Sequence, residues 1–441
     1  MKKRIPLLLS ALLLAGGAIS LGACSDGKIH VKFWYTMGKA NMELLDRMIA
    51  EFTKIYPDVK IDHSAQGDYG QLYEKLNSAI PAGKMPTMAY CYPDHVADYM
   101  ASNAIIDVQT YLDDEELKYT EEDGLVDDYE EIYWQEGQEY QKEGIFSVPF
   151  AKSTEVLFYN KTFFDENNLT VPTTWDEMWA LCKNIKENII PSNPNYSDIE
   201  FPLGYDSDSN LFITMCQQRN IPYTTNENIK SREDHIVFNN DDAKAMAEEL
   251  VGYMNKGYFL TKGCLPNNAY TSTYFTKRKI VMSIGSTGGT SYQVSTNFEV
   301  AVAPAPVTDE NSKYISQGPS ICFFKKGSDE VKKAAWNFYK FITRANNTAA
   351  YSALTGYEPV RKSAYEVPAY KQYLNGSSLQ AKTSKATSLI AGKYYNSAVF
   401  NGSAAAREAV EGIFANMYIR KESANSAFAT AYQAAVDATK L

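Results

Sequence analysis

Residues 145–159 read Ile-Phe-Ser-Val-Pro-Phe-Ala-Lys-Ser-Thr-Glu-Val-Leu-Phe-Tyr, two apolar runs on either side of a short polar segment. The runs 145–150 and 156–159 are rich in aromatic and aliphatic residues, which favours two buried strands around Ser153-Thr154. We expect the first strand to end one packed unit and the second to begin another. The stretch therefore predicts the first crossing of the chain between two lobes.

Upstream of this crossing, strand-like and helix-like patterns alternate. Residues 29–34, 59–61 and 87–92 have the composition of short strands. Helical patterns follow each of them; the first is expected to be capped by Asn41 and the third by Asp94. Alternation of this kind predicts an α/β fold in which a mostly parallel sheet is flanked by helices.

The length of the chain indicates more than one packed unit, because 441 residues exceed what one hydrophobic core usually supports. A second crossing is predicted at 300–306, where a strand runs into two prolines. We therefore assign 29–153 and 307–350 to lobe 1, and 154–306 and 351–441 to lobe 2. Within these units Thr174 with Glu177 forms a capping-box pattern, and Asn240 and Ser328 are further predicted helix caps.

The N-terminus has the pattern of an export signal. Lys2, Lys3 and Arg4 precede an uncharged run that is shorter than the roughly 20 residues of a membrane-spanning helix. Leu21-Gly22-Ala23-Cys24 then places small residues before a cysteine that can be lipidated. We predict a lipoprotein signal peptide at 1–23, a lipidated linker at 24–28, and a mature protein anchored to the outer face of the cytoplasmic membrane, or in the periplasm or outer membrane of a diderm cell.

Composition and motifs disfavour several classes of function. A net charge of −10 disfavours nucleic acid as a partner. No metal-ligand spacing is present among the histidines and cysteines, and 206–210 resembles a calcium loop but lacks its glycine and glutamate, so we predict neither a metal nor a cofactor. Common catalytic signatures are also absent, which favours a binding protein over an enzyme. A surface-anchored glycoside hydrolase stays open, because its two carboxylates need only be close in space.

Aromatic and hydroxyl side chains at predicted strand ends are the candidate ligand contacts. Open α/β sheets bind ligands at such ends, and aromatic faces with nearby hydroxyls suit a sugar or polyol. The aromatic candidates are Trp34, Tyr35, Tyr69, Tyr92, Tyr205 and Tyr357. The small polar candidates are Ser153, Thr154, Ser286, Thr287 and Gly318. Packing and simple turn chemistry explain each residue equally well when it is taken alone.

Several motifs together resemble a known family. Val148-Pro149-Phe150 through Ser153-Thr154, then 157–161, and then Pro172 through Glu177 have the order and spacing found in family 1 extracellular solute-binding proteins of bacterial ATP-binding cassette (ABC) importers. Phe33-Trp34, 67–69, 286–288 and 355–359 are most similar to the glycerol-phosphate-binding members. The resemblance implies a two-lobed periplasmic-binding-protein fold of type II with a hinge, and Tyr69, Ser153, Ser286, Gly318 and Tyr357 as ligand contacts.

The resemblance also implies a monomeric receptor that closes on a small molecule and delivers it to importer permease subunits. Asp94 takes the approximate position of the family's glutamate for glycerol hydroxyls. The family's phosphate-binding arginine aligns near Val399-Phe400, where no cation is closer than Lys393 and Arg407. We therefore expect an uncharged sugar or oligosaccharide, with glycerol 3-phosphate or a glycerophosphodiester as the alternative.

Overall fold

The protein, described by a computed structural model over residues 26–439, contains two five-stranded sheets and one two-stranded sheet among helices. The strands are β1 Ile29–Tyr35, β2 Val59–Ala65, β3 Met88–Cys91, β4 Val148–Pro149, β5 Glu155–Asn160, β6 Phe201–Tyr205, β7 Phe259–Thr261, β8 Ile280–Ser286, β9 Val300–Pro304, β10 Tyr314–Ile315, β11 Ser320–Phe323 and β12 Tyr394–Tyr395.

The helices are α1 Lys39–Ile55, α2 Tyr69–Ala79, α3 Pro93–Ala101, α4 Gln109–Leu112, α5 Glu131–Glu136, α6 Lys161–Glu166, α7 Trp175–Asn184, α8 Ile190–Ser192, α9 Asp208–Gln218, α10 Asp241–Asn255, α11 Thr271–Thr276, α12 Asp329–Ile342, α13 Ala345–Thr355, α14 Pro368–Leu374, α15 Leu379–Ser388, α16 Ser403–Tyr418 and α17 Ala424–Thr439. None of those between residues 26 and 439 combines the length and apolar character that a membrane crossing requires.

The two large sheets divide the chain into the predicted pair of α/β units. The first sheet has the order β2-β1-β3-β11-β4, and α12 packs on β1; we call this half lobe 1. The second has the order β7-β6-β8-β5-β9, with α15 packed on β9; we call this half lobe 2. Helices α9, α10 and α17 all pack against α16, which belongs to lobe 2.

Both sheets are mixed, which corrects the expectation that each is mostly parallel. In lobe 1, β1 runs parallel to β2 and β3, whereas β11 runs antiparallel to β3 and β4. In lobe 2, β5 runs antiparallel to β8 and β9 while β6 runs parallel to β7 and β8. The cause is the crossing of the chain: β5 and β11 enter from the other lobe, so they start at the edge where the parallel strands end.

Segments that connect the lobes also pair with one another. The first connects β4 to β5, and the second connects β9 to β11 through β10. Ser153 of the first and Gln317 of the second exchange two backbone hydrogen bonds of 2.8 Å each. Lys152 likewise pairs with Glu358, which follows α13. Because the connections pair, they form one hinge region beneath the space between the lobes.

Helix capping follows the predicted pattern at some ends and departs from it at others. The capping box of Thr174 and Glu177 at α7 and the cap of Asn240 at α10 are confirmed. Asn41 is not a cap, because α1 begins at Lys39, and Asp94 lies inside the first turn of α3 behind Pro93. Ser328 is the N-cap residue of α12 but makes no capping hydrogen bond with its side chain.

Some sequence expectations remain predictions. The signal peptide and Cys24 lie outside the described residues. The residue boundaries of the lobes also stay a prediction, and residues near Arg361, which we assigned to lobe 2, contact lobe 1: Tyr129 and Arg361 form a β-bridge, and Arg361 donates to the carbonyl of Leu125 over 3.0 Å. Cys91, Cys182, Cys216, Cys264 and Cys322 are buried and unpaired.

Candidate ligand-binding cleft

A cleft lies between the lobes at the ends of the parallel strands, and its about 650 Å³ of empty space is partly open to solvent. Its walls come from the start of α3 in lobe 1, from the connection that contains Gln317 and Gly318, and from α9 and α16 in lobe 2. Its lining residues are Tyr92, Pro93, Asp94, Glu136, Ile213, Tyr223, Thr224, Ile315, Ser316, Gln317, Gly318, Asn396, Ser397, Ala398, Val399, Ser403 and Arg407.

The lobe 1 wall presents an aromatic ring and a carboxylate. Tyr92 is the N-cap residue of α3, and the ring of Tyr69 stacks on it at 4.4 Å between centroids. Asp94 follows in the first turn of α3, where the helix dipole favours a negative charge. One oxygen of Asp94 accepts the amide N–H of His95 over 3.0 Å, and the side chain forms no ion pair within residues 26–439.

The lobe 2 wall presents a guanidinium group. Helix α16 starts at Ser403, and Arg407 lies one turn later on the same face, so both side chains reach the cleft. Arg407 donates through Nη2 to the side-chain oxygen of Asn210, and no carboxylate in the described part of the chain pairs with it. The lobe 2 wall therefore carries a positive charge that no ion pair neutralises.

A glycine determines where α16 begins. Gly402 has φ of +99°, and a Cβ atom at this position would lie 2.3 Å from Cγ2 of Thr439 on α17. Its amide donates to Oδ1 of Asp98 on α3 over 2.9 Å, which joins the two walls. The pKa of Asp98 is raised, because the effect of burial outweighs the hydrogen bonds from Tyr73 and Gly402, which lower it.

The floor of the cleft is the pairing of connecting segments. Gly318 has φ of +98°, and a Cβ atom there would lie 2.4 Å from the carbonyl oxygen of Ala151. Only glycine allows the two segments to approach this closely, so Gly318 brings backbone and the side chain of Gln317 to the ligand space. The position was predicted from the sequence as a ligand contact, and the structure gives it a role in the backbone.

Several polar atoms of the cleft-lining residues have no hydrogen-bond partner within residues 26–439. They are Oγ1 of Thr224, Oγ of Ser316 and Oδ1 of Asn396, all buried. A buried polar atom without a partner costs about 1–3 kcal/mol. The residues that carry these atoms line the cleft, so its wall holds hydrogen-bonding capacity that the described chain does not use.

Two other carboxylates near the cleft differ from Asp94 because each has internal partners. Glu136 forms a buried ion pair with Lys152, so its charge is balanced. Glu155 accepts hydrogen bonds from the hydroxyl of Tyr205 and from Asn210, and burial raises its pKa to about 7. Asp94 is thus the carboxylate on the cleft wall that lacks a cationic or buried side-chain partner.

The structure brings a minority of the predicted site residues to the cleft wall. Tyr92, Asp94 and Gly318 line the cleft, and Tyr69 stacks behind Tyr92. Tyr357 lies next to this stack, because it forms a hydrogen bond with Tyr69. Burial raises the pKa of Tyr357, and this hydrogen bond opposes the rise only in part.

The hydroxyl cluster lies where β5 begins and β8 ends, next to each other in the lobe 2 sheet. Ser153 contributes backbone to the cleft floor. Thr154 accepts the amide of Thr287 through its carbonyl over 2.9 Å, and both threonine hydroxyls are buried without a partner in the described part of the chain. Ser286 uses its hydroxyl to accept the amide of Gly288 over 3.2 Å. These residues do not line the cleft, and the hydroxyl of Tyr205, another predicted contact, donates to Glu155.

Trp34 and Tyr35 are not brought to the cleft. Trp34 lies in a separate surface depression with Lys32 and His63, and the amine of Lys75 sits 4.8 Å from its ring centroid. Tyr35 is 1% exposed, and its hydroxyl bonds to Nδ1 of His63 over 2.7 Å. Both residues are at a strand end as predicted, but successive side chains alternate between the faces of β1, and neither face opens onto the cleft.

Sequence reasoning missed the residues of lobe 2. Asn210, Tyr223, Gln317, Asn396 and Arg407 lie at or beside the cleft, and none of them stands at the end of a central strand. The sequence pattern could have identified Arg407, because it follows Ser403 by four positions in a helical segment, which puts both residues on one face. Arg407 lies several residues beyond Val399-Phe400 in the chain, but one helical turn returns it to the cleft.

Comparison with known proteins identifies the family. The sequence profile of the family described as "Bacterial extracellular solute-binding protein" matches residues 47–376. The chain belongs to this family. The resemblance predicted from the sequence motifs is confirmed, and with it the two-lobed α/β fold.

Relatives and structural neighbours agree with this assignment. The chain is 24% identical over 382 residues to the sn-glycerol-3-phosphate-binding periplasmic protein UgpB of Brucella abortus (strain 2308), covering 82% of this chain and 81% of that protein. UgpB from Mycobacterium tuberculosis in complex with glycerophosphocholine superposes with a TM-score of 0.74 at 18% identity, over 95% of this chain and all of that one. The GacH receptor of Streptomyces glaucescens GLA.O, solved unliganded and with acarbose, gives 0.72 at 17% identity over 93% and 98% of the chains.

Proposed function

We propose that this member of the solute-binding family is the receptor of an ABC importer and binds a phosphate ester of a small polyol, such as glycerol 3-phosphate or a glycerophosphodiester, between its lobes. The observation that carries the proposal is Arg407, a guanidinium on the cleft wall without an ion-pair partner in the described chain. A guanidinium group binds phosphate oxygens through two parallel N–H bonds.

The charges around Arg407 support an anionic ligand. The nearest buried acid in its network, Glu155, has its pKa raised to about 7 by burial, so the proton is partly retained at neutral pH. Glu136 is balanced by Lys152. The expectation of a neutral sugar depended on the absence of a cation near residues 397–402, and Arg407 removes that argument.

Asp94 gives the ligand a direction. A carboxylate repels phosphate but accepts hydrogen bonds from hydroxyl groups, each with a net contribution of about 1.5–3 kcal/mol. We infer that the phosphate faces Arg407 on lobe 2 and that the polyol hydroxyls face Asp94 on lobe 1. Names of relatives support this ligand class, since one curated relative is a sn-glycerol-3-phosphate-binding protein and one structural neighbour holds glycerophosphocholine.

Transport then follows from closure of the lobes. A ligand that contacts both walls is bound fully only when they are close, so it shifts the population toward the closed form. Reversing a 1:99 population takes about 5.5 kcal/mol of differential binding, which one charge-assisted phosphate contact and a few hydroxyl contacts supply. We propose that the permease subunits of the importer bind this closed form.

A neutral oligosaccharide is the second candidate. The stacked rings of Tyr69 and Tyr92 and the unpaired hydroxyls of the cleft favour it, and GacH is a neighbour solved with acarbose. A glycoside hydrolase is less well supported, because Glu136, the second carboxylate on the cleft wall, forms an ion pair with Lys152. Such a pair holds that carboxylate away from acid–base chemistry.

Calorimetry with the purified mature chain tests the proposal. We expect sn-glycerol 3-phosphate or glycerophosphocholine to bind with micromolar or better affinity and to be recovered chemically unchanged. Glycerol and maltose should bind at least about 100-fold more weakly. Tight binding of maltodextrins without phosphate binding would establish the second candidate. Release of products from an oligosaccharide would overturn both.

We also propose that Cys24 carries the lipid anchor. The motif Leu21-Gly22-Ala23-Cys24 after an apolar run supports this. Membrane fractionation checks it, and the wild-type protein should sediment with membranes. The Cys24→Ala protein should either appear in the soluble fraction or keep its uncleaved signal peptide and therefore a longer N-terminus. Sedimentation of a fully processed Cys24→Ala protein would contradict lipidation.

A further inference from the structure

We propose that Asn210 is a positioning residue for phosphate recognition: it fixes the guanidinium of Arg407 and ties it to the connection between the lobes. This inference rests on the proposed function. Asn210 lies in the first turn of α9, is 3% exposed, and does not itself line the cleft. Its effect on the ligand is therefore exerted through its neighbours.

The side chain of Asn210 connects three parts of the chain. Its Oδ1 atom accepts a hydrogen bond from Nη2 of Arg407 on α16. Its Nδ2 atom donates to Oε1 of Glu155 on β5 and to Oε1 of Gln317 in the connecting segment, both over 2.9 Å. All polar groups of the amide are thus used within the chain.

Chemistry determines the orientation of the amide. A guanidinium group only donates hydrogen bonds, and a carboxylate accepts them, so the oxygen of Asn210 must face Arg407 and its nitrogen must face Glu155. The reverse orientation would set N–H groups against each other and two oxygens against each other. Glu155 is itself held by the hydroxyl of Tyr205, so the amide is fixed from the buried side.

Neutrality makes an asparagine suited to this position. An aspartate or glutamate would hold Arg407 equally well but would neutralise its charge and compete with a phosphate for it. An amide oxygen orients the guanidinium while leaving its positive charge for the ligand. The remaining guanidinium N–H groups are then presented toward the cleft in a fixed direction, which reduces the entropy lost on binding.

The contact with Gln317 extends this network to the hinge. Gln317 lines the cleft, and its backbone pairs with Ser153 where the first and second connections meet. Asn210 therefore joins the phosphate-binding group to the segments that change direction when the lobes move.

Substitutions of Asn210 test the proposal by calorimetry with sn-glycerol 3-phosphate. Asn210→Leu keeps the size of the side chain and removes its hydrogen bonds, and we expect the dissociation constant to rise about tenfold. Asn210→Asp keeps the contact to Arg407 but adds a competing charge, and we expect a loss at least as large. The matched control is Asn160→Leu, because Asn160 is 5% exposed in the same lobe and caps α6 through Phe163. The control should lower the melting temperature without changing affinity.

A double-mutant cycle separates positioning from general destabilisation. In an Arg407→Met background, Asn210→Leu should change affinity by less than about twofold, because its effect passes through Arg407. Equal losses with and without Arg407, or a lower melting temperature with wild-type affinity, would overturn the role of Asn210. If the wild type does not bind sn-glycerol 3-phosphate at all, the proposed function fails, a result distinct from failure of the positioning role.

Discussion

The two walls of the cleft are built from similar elements but bear opposite charges. On lobe 1, Asp94 lies in the first turn of α3 and bonds to the neighbouring amide of His95. On lobe 2, Arg407 lies one turn into α16 and bonds to Asn210, 197 positions away in the chain. The first charge has a local environment, whereas the second depends on tertiary contacts. A ligand with an anionic end and hydroxyl groups satisfies both walls only when it lies between them.

The largest effect is expected from removing the charge of lobe 2. Arg407→Met should weaken binding of glycerol 3-phosphate about 100-fold or more, close to 3 kcal/mol, because a charge-assisted bidentate contact is lost. Calorimetry measures this, and Arg407→Lys is the control that keeps a charge without the fork and should lose less. Equal affinities of all three proteins would place the phosphate elsewhere.

A buried carboxylate in the hinge region should make the free energy of unfolding depend on pH. Glu358 accepts hydrogen bonds from Tyr133 on α5 and Tyr394 on β12, and burial raises its pKa to about 7. Since the pKa is raised, its contribution to stability is complete below the ordinary value of 4.5 and is lost as the pH rises through 7.

The substitution Glu358→Gln should remove the pH dependence of stability that Glu358 contributes. Between pH 5 and pH 8 the variant should lose about 2 kcal/mol less free energy of unfolding than the wild type. Denaturant unfolding at both pH values gives the comparison, with Glu366→Gln, an exposed residue in the same region, as control. Parallel pH profiles for wild type and Glu358→Gln would show that the buried carboxylate does not titrate in this range.

A smaller effect is expected from the charge of lobe 1. Asp94→Ala should weaken binding about tenfold, since a carboxylate that accepts hydroxyl groups is lost while the phosphate contact stays. Asp94→Asn keeps an acceptor and should lose less. If Asp94→Ala bound more tightly, its repulsion of phosphate would outweigh its hydrogen bonds, and the inferred direction of the ligand would be reversed.

No effect on affinity is expected at Trp34, although the sequence marked it as a ligand contact. Trp34→Ala should bind within about twofold of the wild type, because the ring lies in a separate depression beside Lys75. Tyr69→Ala, which removes the ring stacked on Tyr92, is the contrasting variant and should weaken binding. A clear loss of affinity in Trp34→Ala would extend the site beyond the cleft described here.

The lobe 1 wall was largely predictable because its signals are local. Tyr69 and Tyr92 begin helices directly after short strands, and Asp94 stands two residues later, so the strand-end rule found them. The same rule failed at Trp34 and Tyr35, because a strand end alone does not tell which face of the sheet a side chain takes. The face of the sheet on which each side chain lies depends on what packs against that face.

The lobe 2 wall could not be predicted in the same way. Arg407, Asn210 and Gln317 come from two helices and a connecting segment, and their meeting depends on how α16 packs against α9. Sequence distance between them carries no information about this packing. The mixed sheets have the same origin, since the entry direction of β5 and β11 depends on which lobe the chain leaves.

By itself the sequence determined the alternation of strands and helices, the division into two α/β lobes, the family motifs and the aromatic and acidic wall of lobe 1. These features depend on periodicity, capping and short-range order, which act between near neighbours. Only the tertiary structure decided which cation lies on the cleft wall, because Arg407 reaches it through packing with a distant helix and bonds there to the buried amide of Asn210. Long-range packing sets the charge of the second wall, and on that charge we base the proposal of a phosphate ester over a neutral sugar.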